Sequence, residues 1–274
     1  MIEGLFAVAL GTAVPLGFGL AAQELLGVDR RRAALLALAC AVPLIIALGL
    51  PRGLLAGGLV LPWLAAVGGL GIGALWRLVD ILRSGRLRAE PANLGFAIAV
   101  GFLAAAAGWA LVDRLGLQPF GFGTTIVLLT AVHFHVAGFV LTLAAVLVAR
   151  ARPGPLSIGA LVGLIVGTPL TALGFFGLPA INWLGAMVVA ICGAGVALAT
   201  IAVAGDRGDV ATRLLLRVSG ATLIVTMPLA AAYATGTMFG IPFLDVPAMA
   251  AIHGGLNVVG FAVPAMLAWS LVAE

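Results

Sequence analysis

The sequence predicts an all-helical integral membrane protein, and two features of its composition support this prediction. Of its 274 residues, 63% are hydrophobic and only 9% are charged, whereas a soluble domain carries about 25% charged residues. The apolar residues form nine stretches, each of roughly 18 residues or more and therefore long enough to cross a bilayer. Because these stretches lack the alternation of a membrane β-barrel, helices are the remaining way to span the membrane.

The nine predicted spans follow one another with short connections. They cover residues 4–24, 33–50, 54–76, 92–112, 124–149, 156–178, 182–204, 214–236 and 248–272. No connection is long enough to fold alone, so we predict a single polytopic transmembrane domain over residues 1–274. Cys40 and Cys192 lie singly within the second and seventh spans and lack metal-binding spacing, which favours small core positions.

Arginine sets the predicted orientation, because the chain contains no lysine. Twelve arginines fall in or beside alternate connections, namely Arg30, Arg31, Arg32, Arg77, Arg83, Arg86, Arg88, Arg150, Arg152, Arg207, Arg213 and Arg217. Only Arg52 and Arg114 fall on the opposite side. The positive-inside rule then places the N-terminus outside and the C-terminus in the cytoplasm. The net charge of +4 therefore reflects topology, and no nucleic-acid partner is predicted.

Two stretches of the chain resemble each other and point to an internal duplication. Leu115-Gly-Leu-Gln-Pro-Phe120 precedes the fifth span, and Met238-Phe-Gly-Ile-Pro-Phe243 precedes the ninth. These spans then carry His135-Val-Ala-Gly-Phe139 and Asn257-Val-Val-Gly-Phe261, so His135 matches Asn257 if one residue of gap is allowed. One leading helix followed by two parallel four-helix repeats, spans 2–5 and 6–9, would fit this pattern. A chance match is the alternative, since Gly-Phe and Pro-Phe pairs are common in such a composition.

The prediction of function rests on three histidines inside the fifth and ninth spans, where ionisable groups are rare and usually functional. The helical rise of 1.5 Å per residue places His133 and His135 about 3–6 Å outward of the middle of their span. Asn257 lies about 4–5 Å outward and His253 about 10 Å outward. His253 and Asn257 are four residues apart and share one helix face. We therefore expect these four side chains to form one intramembrane site near the outer leaflet.

Other polar residues near the outer ends of their spans are expected to line an entrance to this site. They are Asp245, Tyr233, Thr235, Asn182 and Thr130.

The chemistry of the site has several alternatives. His133 and His135 point about 200° apart on a helix, so they cannot both bind one ion without local unwinding. Imidazole binds haem iron, zinc and copper, which makes His133, His135 and His253 candidate ligands of a transition metal or haem. A lipid-like substrate is another possible occupant, and catalysis stays open. The main alternative is a small proton-coupled transporter, because neutral imidazole can both donate and accept hydrogen bonds.

A structural alternative is that each histidine hydrogen-bonds a backbone carbonyl and only joins helices. In every case the lipid bilayer is a partner, and the oligomeric state stays open.

The stretches Thr130-Ala-Val-His-Phe-His-Val-Ala-Gly-Phe139 and His253-Gly-Gly-Leu-Asn-Val-Val-Gly-Phe261 resemble the two signature stretches of YndJ-like membrane proteins. The resemblance covers the fifth and ninth spans, and it implies an integral protein of a bacterial-type cytoplasmic membrane. It also implies that His133, His135, His253 and Asn257 are the signature polar residues. It implies no reaction, and a transporter function follows from it only by analogy.

Overall fold

The computed structural model describes residues 1–84, 91–241 and 243–272, and it leaves the side chains of residues 91–93 undescribed. Within these ranges it is helical and contains no strand. Nine of its helices are long and apolar enough to cross a membrane, which confirms the predicted fold class. They are α1 Ile2–Leu26, α2 Arg30–Leu48, α3 Leu54–Arg83, α4 Pro91–Arg114, α5 Thr124–Ala151, α6 Pro155–Gly174, α7 Pro179–Gly205, α8 Val210–Met238 and α9 Val246–Val272. Of the arginines used for orientation, Arg86 and Arg88 lie outside the described residues.

Aspartate side chains cap three of these helices. Asp29 accepts a hydrogen bond from the backbone N–H of Arg32 at 2.8 Å at the start of α2. Asp209 accepts one from Thr212 at 2.7 Å at the start of α8, and Asp245 caps α9 in the same way. Such caps satisfy backbone donors that have no partner within the helix. The backbone bond from Thr212 also holds the pKa of the Asp209 carboxyl below its usual value, with help from the Thr212 hydroxyl.

The helices cluster into two compact units, Met1–Leu143 and Ala144–Glu274. The boundary falls inside α5, close to the division that a duplication of spans 2–5 and 6–9 requires. The single-domain prediction and the duplication both stay predictions.

In the first unit, α1 is the central helix and packs against α2, α3, α4 and α5. Its buried side chains include Phe6, Leu10 and Phe18. Gly19 lets α1 approach α2 closely, because a Cβ at this position would collide with the carbonyl oxygen of Arg30. The core of this unit is therefore built around the first helix of the chain.

In the second unit, α7 packs between α6 and α8, and α8 packs against α9. Glycine makes the contact between α6 and α7 close. A Cβ on Gly163 would collide with Cys192, and one on Gly167 would lie 2.9 Å from a methyl group of Val188. Gly159, one turn earlier on α6, has no such neighbour. Close helix approach through small residues is a typical packing mode in membranes.

Candidate functional site

The centre of α5 departs from regular α-helix at its histidines. Residues Phe134–Val140 form a π-helical segment of seven residues, in which the backbone N–H of Leu141 bonds to the carbonyl of Val136, five residues earlier. Short π-helical segments are rare and occur frequently at functional sites. His135 is the second residue of this segment.

His135 is completely buried within the first unit. Its Nδ1 lies 2.8 Å from the carbonyl oxygen of Ala131, and its Nε2 lies 3.1 Å from the indole Nε1 of Trp63 on α3. The imidazole ring also packs against Phe6 on α1, with ring centroids 4.9 Å apart. A carbonyl only accepts and an indole N–H only donates. This arrangement therefore assigns a neutral imidazole with its proton on Nδ1 and its lone pair on Nε2.

His133 lies on a different face of α5 and is exposed at the surface. Its Nδ1 donates to the carbonyl of Leu129 at 2.7 Å. The two histidines thus face different surroundings, His135 in the interior of the first unit and His133 on its surface.

The centre of α9 is also π-helical, over Ala250–Gly254 and Leu256–Ala262. The second segment has seven residues, and the N–H of Val263 bonds to the carbonyl of Val258, five residues earlier. When His135 is aligned with Asn257, the segments Phe134–Val140 and Leu256–Ala262 begin and end at equivalent positions. The two helices that carry the signature stretches therefore share the same local irregularity in the same register.

His253 and Asn257 form a polar network with Thr226 of α8 in the second unit. The Nδ1 of His253 donates to the carbonyl of Thr226 at 3.2 Å, and its Nε2 accepts from the amide nitrogen of Asn257 at 3.0 Å. The Thr226 hydroxyl donates to the amide oxygen of Asn257, also at 3.0 Å. Thr226 is fully buried and Asn257 is 7% exposed. His253 and Asn257, which were expected to share one helix face, are thus joined by hydrogen bonds to each other and to Thr226.

The four residues of the expected site are divided between the two units. His133 and His135 belong to Met1–Leu143, and His253 and Asn257 belong to Ala144–Glu274. Each of the hydrogen bonds given above joins residues of one unit. The assembly of His133, His135, His253 and Asn257 into one site stays a prediction.

Of the five expected entrance residues, Thr130 and Tyr233 hydrogen-bond within their own helix, and Asn182 and Thr235 hydrogen-bond to a neighbouring helix. Thr130 donates to the carbonyl of Ile126, and Asn182 donates to the carbonyl of Thr171. Thr235 accepts from the indole of Trp183 at 3.1 Å, and Tyr233 accepts through its carbonyl from the hydroxyl of Thr237. The fifth, Asp245, is the N-cap of α9.

No group of three or more His, Cys, Asp or Glu side chains able to hold a metal comes together within the described ranges. Both nitrogens of His135 already have protein partners, so a metal or haem iron would have to displace Trp63 from Nε2. The same holds for His253, where Asn257 occupies Nε2. The donor set therefore gives the metal and haem alternatives no support.

Sequence reasoning missed a buried charged cluster at one end of the first unit. Asp113 and Arg114 end α4, and Arg52 in the connection between α2 and α3 lies 3.1 Å from the Asp113 carboxylate. The signal was present, since Asp113 and Arg114 are adjacent charges at the end of a long apolar stretch. The predicted topology placed Arg52 on the same side of the membrane as Arg114, but it did not indicate that Arg52 would contact Asp113. Trp63 and Thr226 were missed as well, because their role depends on tertiary neighbours.

Comparison with known proteins agrees with the two signature stretches. The model of the YndJ-like protein family matches residues 5–261. The chain belongs to the YndJ-like family. It is 28% identical over 201 residues to the membrane protein YndJ of Bacillus subtilis (strain 168), which covers 72% of this chain and 36% of the relative. The chain thus spans about a third of that relative's length. No solved structure matches it.

Family and fold together make the chain an integral protein of a bacterial membrane. The match includes both π-helical signature segments, apart from the final residue of the second.

Proposed function

We propose that this YndJ-like chain is the membrane part of a proton-coupled transporter, in which His253 holds a proton and protonation of His135 changes the packing of the helices around it. The observation that carries the proposal is the hydrogen bond from the Trp63 indole to Nε2 of His135. Histidine is the side chain whose ordinary titration falls in the physiological range. Its protonation drives rearrangements in many pH-sensitive proteins.

The chemistry of this hydrogen bond makes it sensitive to one proton. Nδ1 of His135 already donates to Ala131, so a second proton must bind at Nε2. There it would face the indole N–H of Trp63, which has no lone pair to offer in the ring plane. Two donors would then point at each other in a buried site. Because a buried polar hydrogen without an acceptor is costly, protonation favours separation of Trp63 on α3 from His135 on α5.

The second polar network responds differently. A proton on Nε2 of His253 meets the amide of Asn257, which has an oxygen as well as a nitrogen. A rotation of this amide presents Oδ1 to the new N–H, and the hydroxyl of Thr226 can turn to accept from the amide nitrogen. This network can therefore hold a proton and keep its side-chain hydrogen bonds, at the cost of the bond from the Asn257 amide nitrogen to the carbonyl of His253. We assign His253 as a proton-holding group and His135 as the group that moves helices.

The π-helical segments give these helices a way to move. Each hydrogen bond of a π-helical segment spans one residue more than in the helix around it, so the register of the helix can shift locally. His135 and Asn257 hold the same position in their segments. This shared register supports a duplicated design with one protonatable helix in each unit.

The proposal is tested by charge movement after a pH jump in proteoliposomes on a solid-supported membrane. The unaltered chain is expected to give a transient current as protons bind. His135→Gln keeps a polar side chain but removes the titratable group, and it is expected to reduce the current strongly. His133→Gln is the matched control, since His133 lies two residues away on the exposed face. Equal currents from all three proteins would overturn the proposal.

A further inference from the structure

The charged cluster of Arg52, Asp113 and Arg114 at one end of the first unit has no part in the proton response proposed for the histidines. Asp113 and Arg114 are almost fully buried, with side chains 1% and 3% exposed. Arg52 places Nε and Nη2 3.2 and 3.1 Å from Oδ1 of Asp113. Arg114 places Nε 2.6 Å from Oδ2 of the same carboxylate. Two guanidinium groups therefore share one carboxylate.

Arg114 has a structural role at the end of α2. Its Nη1 donates to the carbonyls of Ala47 and Leu48 at 3.1 and 3.4 Å. These carbonyls lie in the last turn of α2, where the helix itself provides no donors. The backbone carbonyl of Arg114 also accepts from Gly53 at 2.8 Å. All parts of Arg114 are thus engaged within the protein.

Arg52 differs from Arg114 in exposure. Its side chain is 32% exposed, and the hydrogen bonds it makes to described residues use Nε and Nη2. Its Nη1 has no hydrogen-bond partner in the part of the chain that the structure describes. Two guanidinium groups and one carboxylate leave one positive charge in the cluster. The Glu3 carboxylate lies 3.8 Å from the amino terminus.

The surface beside Arg52 is apolar. Leu54 and Leu55 follow it at the start of α3, and Leu117 follows Arg114 at the end of α4. All three are strongly exposed. The connection between α4 and α5 comes close to Arg52 at Gly116, since a Cβ on this glycine would lie 3.4 Å from the Cβ of Arg52. An excess positive charge among exposed leucines at the end of a membrane unit matches an amphiphile with an anionic head.

We propose that Arg52, held in place by Asp113, is the anchor of a binding site for a phosphate-type oxyanion, and that the headgroup of an anionic phospholipid fills it. A guanidinium is well suited to phosphate, because its planar N–H groups donate charge-assisted hydrogen bonds. The carboxylate of Asp113 fixes Nε and Nη2 and leaves Nη1 for the ligand. The leucines provide the contact for the acyl chains. This site is independent of the proton proposal.

The test is native mass spectrometry of the detergent-solubilised chain with three probes. Phosphatidylglycerol has both a phosphate group and acyl chains, diacylglycerol has acyl chains without a phosphate group, and inorganic phosphate is the oxyanion alone. Arg52→Gln is compared with Arg152→Gln, which removes an exposed arginine that lies 2.9 Å from Asp206. Arg52→Lys tests whether charge alone is sufficient. Thermal unfolding of each variant establishes that it is folded.

The unaltered chain is expected to retain phosphatidylglycerol over diacylglycerol. Arg52→Gln is expected to weaken this retention roughly tenfold, as befits the loss of a charge-assisted hydrogen bond, while Arg152→Gln leaves it unchanged. Displacement of the lipid by inorganic phosphate would identify a free anion as a ligand, and failure of displacement would identify the lipid; both results support the oxyanion site. Equal retention of the two lipids, or equal retention by both glutamine variants, would overturn it.

Discussion

The indole N–H of Trp63 donates a hydrogen bond of 3.1 Å to Nε2 of His135, so a residue of α3 fixes the protonation state of the buried histidine in α5. The two rings are also nearly parallel, with centroids 6.0 Å apart and planes at 25°. The contact joins helices through a group that one proton can change. The proposed response of the helices to a proton therefore depends on this contact more than on any other.

Trp63→Phe is expected to destabilise the protein, because it leaves Nε2 of His135 buried without a donor. An unsatisfied buried polar group costs about 1–3 kcal/mol. The control is Trp76→Phe on the same helix, since Trp76 is 69% exposed. Thermal or denaturant unfolding in detergent compares the two variants. If both unfold at the same midpoint, the hydrogen bond contributes nothing to stability.

Thr226→Val is expected to loosen the network around His253. Valine has nearly the shape of threonine but removes the hydroxyl that donates to Asn257, so Oδ1 of Asn257 loses a buried partner. The expected cost is again about 1–3 kcal/mol in the free energy of unfolding. Thr237→Val serves as the control, because the Thr237 hydroxyl bonds within its own helix and is exposed. A larger effect in the control than at Thr226 would contradict a network held by its side chains.

Gly138→Ala is expected to disturb the π-helical segment of α5. The added Cβ would lie 3.0 Å from the Cβ of Phe102 on α4, and that atom is fixed to the backbone. Overpacking of this kind typically costs about 1–3 kcal/mol. Gly101→Ala, in α4, meets nothing within 4 Å, so it is expected to be neutral or slightly stabilising. The unfolding midpoints of the two variants check this, and a stable Gly138→Ala protein would show that α4 and α5 are not closely packed there.

Much of the fold is predictable from sequence, because hydropathy alone identifies a spanning helix. All nine predicted spans correspond to helices, although α3 extends further than expected, to Arg83, and α8 begins earlier, at Val210. Arginines at the ends of both helices lower the hydropathy there without ending the helix. Their long side chains can keep the charge outside the apolar layer.

The candidate site was only partly predictable. The sequence identifies His133, His135, His253 and Asn257 because polar groups in apolar stretches are conspicuous. It does not identify Trp63 or Thr226, since their roles arise from packing between α3 and α5 and between α8 and α9. The π-helical segments were missed as well, because a shift in helical register has no local residue signature here. The predicted topology placed Arg52 and Arg114 on one side of the membrane, but the contact between Arg52 and Asp113 depends on tertiary packing of residues far apart in sequence.

The measurement that tests the central claim most directly is the fluorescence of Trp63 as a function of pH. A variant in which Trp76, Trp109, Trp183 and Trp269 are replaced by phenylalanine reports on Trp63 alone. The titration runs from about pH 8 to about pH 4, which brackets the ordinary range of imidazole. A protonated imidazole beside an indole quenches its emission, so we expect quenching on acidification that His135→Gln abolishes and His133→Gln leaves in place. Emission that stays constant over this range, or quenching that persists in His135→Gln, would contradict the account.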